Sequence, residues 1–298
     1  MNLLITGAWN CDRAQLDEIA QLGHKVIFLQ NEKDPLPVPY EQVEGIICNG
    51  LFLYHPLQKF TNLRYIQLTS AGFDRIPMDV VYERNIEIHN ARGVYSIPMA
   101  EFAVSGVLQL YKQNRFFADS QKRQIWQKHR GLMELFGKTV CIIGCGSVGT
   151  ECAKRFQAFG CRIIGVDRYP REDNHYENIV SLEKLEEALT GADVVVLALS
   201  LTEESRHLIN AERLTCMKQG AILVNIARGA VVDTQALTLW LREKRGAAVL
   251  DVFEEEPLPE DSPLWGLDNV CITPHNSFMG EGNSVRLFHV IMKNLVSI

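Results

Sequence analysis

Three polar residues, far apart in the chain, each follow an apolar, strand-like run: Arg228, Glu256 and His275. The planar guanidinium of an arginine can hold a carboxylate through two parallel hydrogen bonds. A histidine can donate a proton near neutral pH, and a neighbouring carboxylate favours its charged form and orients its ring. If these residues converge, they could bind the carboxylate of a 2-keto acid and protonate its ketone oxygen during a reduction.

Each of these residues also has a simpler interpretation. Arg228 could cap a helix or pair with Asp233, and Glu256 belongs to an acidic run that could be a solvated face. His275 could be an ordinary interior histidine. The catalytic interpretation therefore depends on whether the fold brings the three side chains together.

The stretch from residue 140 to Asp167 has the pattern of a dinucleotide-binding turn. An apolar run leads directly into GCGSVG, residues 144–149, and a helical pattern follows. In such a turn the first glycine allows the tight bend, the second lets the backbone approach a pyrophosphate, and the third lets the helix pack closely on the strand. The helix N-terminus offers free N–H groups to the phosphates. A second apolar run ends at Asp167, about where a carboxylate meets the ribose 2′-hydroxyl.

The same acid bears on the choice of cofactor. Asp167 should accept hydrogen bonds from the adenosine ribose and repel a 2′-phosphate, which favours NAD over NADP. Arg168 is the opposing consideration, because it could bind a 2′-phosphate if Asp167 turned away. We therefore expect NAD, with NADP less favoured, and no bound metal.

Alternating strand and helix patterns position these residues. Residues 1–98 contain five short apolar runs separated by helical stretches and loops, which predicts a small parallel-sheet α/β unit. Ligands of such sheets bind beyond the carboxyl ends of the strands, so loops 49–54 and 70–75 are candidate substrate loops. They could equally be plain connections.

In the second half of the chain, predicted strands at 221–225, 247–252 and 270–273 come shortly before the three polar residues. Right-handed crossovers place the ends of such strands at one edge of a parallel sheet. The polar residues are therefore expected to converge beside the nicotinamide end of the cofactor.

Two further segments suggest what the protein contacts. Leu51–Tyr54 is apolar and aromatic, which suits a hydrophobic 2-keto acid unless these side chains are buried in the core; Arg75 and Arg92 leave a phosphorylated substrate open. Met99–Gln113 is predicted to be a long hinge helix, followed by a polar arm over Arg115–Arg130. Another subunit is a candidate surface for this arm.

The composition is typical of a globular protein of about two domains. Of 298 residues 47% are hydrophobic and 22% charged, and the net charge of −6 gives no reason to expect nucleic acid. No apolar run approaches the length of a membrane span, and the start lacks the basic segment of a secretory signal. The eight cysteines show no regular spacing, so we expect a cytoplasmic protein with reduced thiols. For Cys145, inside the glycine turn, we favour a space-filling role over redox sensing.

Several motifs resemble those of the D-isomer-specific 2-hydroxyacid dehydrogenases. The resemblance covers nearly the whole chain, and the matching motifs are TSAGFDRIP, GKTVCIIGCGSVG, LSLTEESRHLIN, LVNIARGAVVD, LDVFEEEPLP and SPLWGLDNVCITPH. The resemblance implies that Arg228 binds the substrate carboxylate and that Glu256 pairs with the catalytic His275. It further implies that Asp251 contacts the nicotinamide carboxamide, and that loop 49–52 supplies main-chain contacts to the substrate carboxylate.

The resemblance also implies an architecture of two doubly wound parallel-sheet α/β domains. A smaller flavodoxin-like substrate domain would comprise residues 1–98 and 276–298, and a Rossmann NAD-binding domain residues 99–275. A homodimer would form through residues 99–130. The chain departs from the family pattern at Ser200, where a proline is usual, but no catalytic group is missing.

We therefore predict an NAD-dependent D-2-hydroxyacid dehydrogenase that moves a hydride between NAD(H) and C2 of a 2-keto acid or D-2-hydroxy acid. The alternatives are a phosphorylated-acid or phosphite dehydrogenase on the same scaffold, and a dinucleotide-sensing binding protein similar to corepressors. The candidate catalytic residues are Arg228, Glu256 and His275. The candidate cofactor-binding residues are Gly144, Gly146, Ser147, Val148, Gly149, Asp167, Arg168, Ala227 and Asp251. The candidate substrate-binding residues are Asn49, Gly50, Leu51, Ser70 and Arg228.

Overall fold

The computed structural model of the chain describes residues 1–297, which divide into two compact units. The first unit combines Met1–Tyr95 with the segment that starts at Gly280, and the second is Ser96–Met279. Within the described residues, no helix combines the length and the apolar character needed to cross a membrane.

The first unit is built on one parallel sheet. Its strands are β1 (Asn2–Thr6), β2 (Lys25–Leu29), β3 (Gly45–Cys48), β4 (Tyr65–Leu68) and β5 (Glu87–His89). They lie in the order β2-β1-β3-β4-β5, which is the flavodoxin-like order. In such a sheet the strand order reverses between β1 and β3, and ligands bind beyond the carboxyl ends of these two strands.

The helices of the first unit are α1 (Arg13–Gln21), α2 (Met78–Glu83) and the C-terminal α9 (Asn283–Val296). Asp12 begins α1 with a capping box, in which its side chain accepts from the Gln15 N–H. The sequence analysis did not predict α9, although the four-residue spacing of its buried Leu287, Ile291 and Leu295 is a helical signal.

The second unit has a seven-stranded parallel sheet. Its strands are β6 (Thr139–Ile143), β7 (Arg162–Val166), β8 (Asn178–Val180), β9 (Val194–Leu197), β10 (Ala221–Asn225), β11 (Gly246–Leu250) and β12 (Val270–Ile272). They lie in the order β12-β11-β10-β9-β6-β7-β8. Several strands, including β9 and β10, are buried along their whole length, so they form unbroken apolar runs in the sequence. The order reverses between β6 and β9, where doubly wound sheets bind dinucleotides.

The remaining helices flank this sheet. They are α3 (Ser96–Tyr111), α4 (Asn114–Lys122), α5 (Ser147–Ala158), α6 (Leu185–Gly191), α7 (Ala211–Cys216) and α8 (Thr234–Arg242). The predicted hinge helix corresponds to α3, and the first part of the predicted arm is the short helix α4. The two parallel-sheet units confirm the predicted fold class.

Candidate active site

The glycine turn lies at the end of β6, beside the reversal of strand order. Gly144 has a φ of +93°, and its N–H donates to Val166 at 2.8 Å. A Cβ on Gly144 would lie 2.7 Å from the Ala198 carbonyl carbon, and one on Gly149 would lie 2.1 Å from the Gly144 oxygen. A Cβ on Gly146 would meet no heavy atom within 4 Å. The first and third glycines therefore permit close packing, whereas the backbone at the second is open to a ligand.

The first turn of α5 continues this open surface. Gly146 is the N-cap, and Ser147 and Val148 are the first helical residues, where backbone N–H groups lack intrahelical acceptors. Ala227, also predicted to contact the cofactor, is buried, and its N–H donates to the Asn225 side chain at 3.1 Å.

Asp167 follows β7 directly, and both of its carboxylate oxygens accept backbone hydrogen bonds. One accepts from the Cys145 N–H at 2.8 Å, and the other from the Tyr169 N–H at 3.0 Å. The neighbouring Arg168 forms an ion pair with Glu204, with 3.9 Å between Nη2 and Oε1. The carboxylate is therefore held beside the turn, and the adjacent cation has an acidic partner.

Cys145 fills space beneath this turn. Its side chain is fully buried, with Sγ 3.7 Å from the Ile142 carbonyl oxygen and 3.8 Å from that of Val166. Burial, and then the nearby Asp167 carboxylate, raise the pKa of the Cys145 thiol to about 12. A redox-sensing cysteine needs an accessible thiolate, so these properties favour the space-filling role.

The predicted acid–base pair is in direct contact. His275 Nδ1 lies 2.8 Å from Glu256 Oε2, and Glu256 Oε1 accepts the Phe253 N–H at 2.9 Å. These residues follow β12 and β11, which are neighbours in the sheet. Both side chains are part-exposed, at 42% for His275 and 36% for Glu256. Since Nδ1 faces the glutamate, Nε2 is the ring nitrogen left for a substrate.

The other glutamates of the acidic run have different surroundings. Glu254 Oε1 lies 2.6 Å from His207 Nε2, and Glu254 Oε2 accepts the Thr234 N–H at 2.9 Å. Although partial burial opposes it, these hydrogen bonds keep the pKa of Glu254 below its usual range. Glu254 therefore joins the loop before α7 to the start of α8, and Glu256 is the glutamate that contacts His275.

A buried carboxylate supports the turn that carries His275. Asp251 is 0% exposed and follows β11. Its side chain accepts from the Thr273 hydroxyl at 2.6 Å and from the N–H groups of Asn276 and Ser277 at 2.7 and 2.9 Å. His275 itself has a φ of +51°, and its N–H donates to the Asp251 carbonyl at 2.7 Å. The sequence analysis assigned Asp251 to the nicotinamide and missed these supporting bonds.

Arg228 follows β10, the third of these adjacent strands. It is half-buried, and its Nη1 donates to the Ala227 carbonyl at 2.8 Å. A Cβ on the next residue, Gly229, would lie 1.8 Å from the Phe253 carbonyl carbon. The glycine therefore lets the loops after β10 and β11 touch.

The two candidate loops of the first unit differ in their free hydrogen-bonding groups. The N–H groups of Asn49 and Gly50 donate to Glu32 at 2.7 and 2.8 Å. In the second loop the Ser70 and Ala71 carbonyls accept hydrogen bonds, whereas the N–H groups of Ala71 and Gly72 have no acceptor within residues 1–297. The first two N–H groups of the first loop are therefore occupied by Glu32, whereas the second loop leaves two main-chain donors open.

The apolar candidate segment is partly core. Leu51 is fully buried, and Phe52 packs edge-on against Phe60. Leu53 and Tyr54 are 60% and 47% exposed. Leu51 and Phe52 therefore pack in the core of this unit, and only Leu53 and Tyr54 are exposed at its surface.

The fold and these contacts define a Rossmann-type dinucleotide-dependent oxidoreductase. Its marks are a glycine turn at the reversal of strand order, an acid after the next strand, and a histidine–glutamate pair at adjacent strand ends. Among residues 1–297, no group of three or more His, Cys, Asp or Glu side chains could hold a metal ion.

Comparison with known proteins identifies the family. Residues 104–277 match the model described as "D-isomer specific 2-hydroxyacid dehydrogenase, NAD binding domain". A glyoxylate reductase of Pyrococcus horikoshii is 38% identical over 79% of this chain and 73% of its own length. The chain therefore belongs to the D-isomer specific 2-hydroxyacid dehydrogenases.

Two other relatives show the range within the family. A D-3-phosphoglycerate dehydrogenase of Methanocaldococcus jannaschii is 39% identical over 76% of this chain, but the match spans only 43% of that relative. The crystal structure of D-lactate dehydrogenase from Aquifex aeolicus, complexed with NAD and lactic acid, is 27% identical, with a TM-score of 0.77 over 99% of this chain and 95% of that one.

Proposed function

We propose that this protein is an NAD(H)-dependent oxidoreductase that interconverts a 2-keto acid and the corresponding D-2-hydroxy acid. The observation that carries the proposal is the 2.8 Å contact between His275 and Glu256 at adjacent strand ends of a dinucleotide-binding sheet. Relatives named glyoxylate reductase and D-lactate dehydrogenase support this substrate class.

The residues divide the chemistry between them. Arg228 binds the substrate carboxylate, for which its planar fork is suited. Glu256 holds Nδ1 of His275, so that Nε2 donates the proton to the ketone oxygen as the substrate is reduced. In the reverse direction, neutral Nε2 accepts the hydroxyl proton. Asp251 keeps the turn under the histidine in place.

The glycine turn fits a dinucleotide, because its second position is open and its flanking acid is fixed. The first turn of α5, at Ser147 and Val148, would hold the pyrophosphate, and Asp167 the adenosine ribose. When bound, NADH supplies the hydride for C2 of the substrate. Asp251 would hold the turn that carries His275 through three protein hydrogen bonds, and because a carboxylate has about four acceptor positions, one is left for the nicotinamide carboxamide.

The preference for NAD over NADP rests on two contacts. Asp167 is held by two N–H groups, so it cannot turn away to admit a 2′-phosphate without losing both bonds. Arg168, the cation that could bind this phosphate, is paired with Glu204. Both contacts favour a free ribose 2′-hydroxyl over a phosphate.

In the first unit, the loop Ser70–Gly72 is the better candidate for main-chain contact with the substrate. Its open N–H groups can receive an anion, whereas those of Asn49 and Gly50 already donate to Glu32. The contribution of the loop after β3 would then come from side chains.

NADH oxidation with a panel of acids tests the activity. We expect turnover of at least one of glyoxylate, pyruvate, phenylpyruvate, 2-ketoisocaproate and phosphohydroxypyruvate. The panel also reports whether a hydrophobic or a phosphorylated side chain is preferred. NADH binding without turnover of any member would favour a dinucleotide-sensing protein instead.

We further propose a homodimer through residues 99–130. Trp126 is 99% exposed and the adjacent Ile125 is 43% exposed, which is unusual for large apolar side chains on a monomer. A second copy that covers them would bury this surface. Light scattering should show a dimer for the natural chain and a shift toward monomer for Trp126→Ala; a monomeric natural chain would contradict the proposal.

A further inference from the structure

We propose that Glu32 is a positioning residue, whose carboxylate holds the backbone of Asn49 so that the Asn49 side chain can bind the substrate. This inference rests on the proposed function in one respect, because it takes the ligand of Asn49 to be the substrate. No sequence motif marks Glu32, which follows β2 by three residues in a half-buried position.

The carboxylate of Glu32 joins two separate strand ends. Its Oε1 accepts from the Thr6 hydroxyl at 2.8 Å and from the Asn49 N–H at 2.7 Å, and its Oε2 accepts from the Gly50 N–H at 2.8 Å. Charge-assisted hydrogen bonds of this length are about twice as strong as neutral ones. The carboxylate therefore fixes the backbone where the loop leaves β3.

The position of this carboxylate in the sheet is informative. Thr6 ends β1 and Asn49 directly follows β3, so Glu32 bridges the two strands between which the strand order reverses. In flavodoxin-like sheets this is the place where a ligand binds. Here a side chain of the protein fills part of the ligand position.

Asn49 is the residue that this arrangement leaves available. Its backbone N–H is occupied by Glu32, whereas its side-chain Oδ1 is buried and accepts no hydrogen bond within residues 1–297. A buried polar atom without a partner is rare and signals a missing donor. We assign that donor to a hydroxyl or N–H group of the substrate, with the Asn49 side chain held in place through Glu32.

The kinetic test compares Glu32→Ala and Glu32→Gln with a matched control. Glu44→Gln is the control, because Glu44 also accepts a backbone N–H, from Asn2 at 2.7 Å, but at the opposite, amino edge of the same sheet. For Glu32→Ala we expect the KM for a keto acid that carries a donor hydroxyl at C3, such as hydroxypyruvate, to rise about tenfold, the effect of losing charge-assisted hydrogen bonds, with the KM for NADH unchanged. Glu32→Gln keeps one acceptor oxygen, so its KM for the keto acid should lie between those of Glu32→Ala and the natural chain. The KM of the control should equal that of the natural chain.

Two further measurements separate positioning from a general structural role. Acetate at high concentration should restore the KM of Glu32→Ala, because it can occupy the vacated carboxylate position. Asn49→Ala should add little to the loss in the Glu32→Ala background, since both changes remove the same contact.

Amide hydrogen exchange reports on the same residues without turnover. Exchange at Asn49 and Gly50 should accelerate in Glu32→Ala and remain normal in the control. Unchanged exchange and an unchanged KM would overturn the inference. If the natural chain reduces no keto acid, the proposed function fails, and the exchange experiment still decides whether Glu32 holds the loop. If Glu32→Ala does not fold, the same comparison is made with Glu32→Gln.

Discussion

Two carboxylates, one in each unit, make the same set of hydrogen bonds. Glu32 and Asp251 each accept from one threonine hydroxyl and from two consecutive backbone N–H groups. The donors are Thr6, Asn49 and Gly50 for Glu32, and Thr273, Asn276 and Ser277 for Asp251. Each carboxylate lies at the carboxyl edge of a parallel sheet, where turns carry the functional side chains.

The two differ in burial and in what they support. Asp251 is 0% exposed and holds the turn that contains His275, whereas Glu32 is half-buried and holds a loop with no acid–base group. A buried carboxylate that loses its hydrogen-bond donors strongly lowers the free energy of unfolding. At a half-exposed carboxylate, water can replace part of the lost contact. The comparison indicates that the protein fixes the turn of the proposed proton donor more rigidly than the proposed substrate loop.

The largest effect on activity is expected for His275, which lies in the turn that Asp251 supports. His275→Ala should lower kcat by about 10²–10⁴-fold, the usual contribution of a positioned acid. NADH binding should survive, because the glycine turn is elsewhere in the sheet. Steady-state kinetics and NADH fluorescence titration measure the two effects separately. Near-normal turnover would show that His275 is not the proton donor, and the turn that Asp251 supports would then have no catalytic role.

The comparison itself is tested by making the same change in both carboxylates. Asp251→Asn places an amide N–H₂ against a backbone N–H in a dry site, so we expect a loss of about 2–4 kcal/mol in the free energy of unfolding. Glu32→Gln should lose only about 1 kcal/mol, because water reaches it. Urea unfolding of both variants gives these values. Equal losses would mean that burial does not distinguish the two sites.

The contact between Glu256 and His275 predicts a loss of turnover when it is weakened. Glu256→Gln replaces a charge-assisted hydrogen bond to Nδ1 with a weaker neutral one, so the ring is held less firmly and we expect kcat for reduction to fall about three- to tenfold. Steady-state kinetics measure this effect. Glu254→Gln is the matched control, because Glu254 contacts His207 instead. A loss of turnover in the control alone would mean that the wrong glutamate has been assigned.

A third carboxylate, Asp167, extends the comparison to the cofactor end. It also accepts two backbone N–H groups, but it lies half-exposed beside the glycine turn. Asp167→Ala should raise the ratio of kcat/KM for NADPH over NADH about tenfold, by removing a charge that repels the 2′-phosphate. Glu204→Gln should raise it about threefold by releasing Arg168, since exposed ion pairs contribute little. A natural chain that prefers NADPH would contradict the assignment of NAD.

Much of the fold, and the strand ends at which the candidate site residues lie, could be predicted from the sequence, because both depend on local patterns. Apolar runs that are buried on both faces gave the central strands, and the ends of β10, β11 and β12 placed Arg228, Glu256 and His275 at one edge. Two of the missed elements, β8 and α7, are only three and six residues long, and segments this short have too few residues to show a clear period. Another, α9, is 14 residues long and was missed although its apolar spacing is helical.

What the sequence by itself determined was the glycine turn, its acid and the strand ends, since these are set by residue types that lie close together along the chain. Only the tertiary structure decided how the carboxylates are used. Glu32 contacts an N–H group 17 residues away, and Asp251 contacts N–H groups 25 and 26 residues away. Likewise, Leu51 and Phe52 face the core and not a ligand. The direction of a side chain, and thus the partner of a polar atom, depends on how elements remote in sequence pack together, and hydrophobic periodicity does not encode that packing.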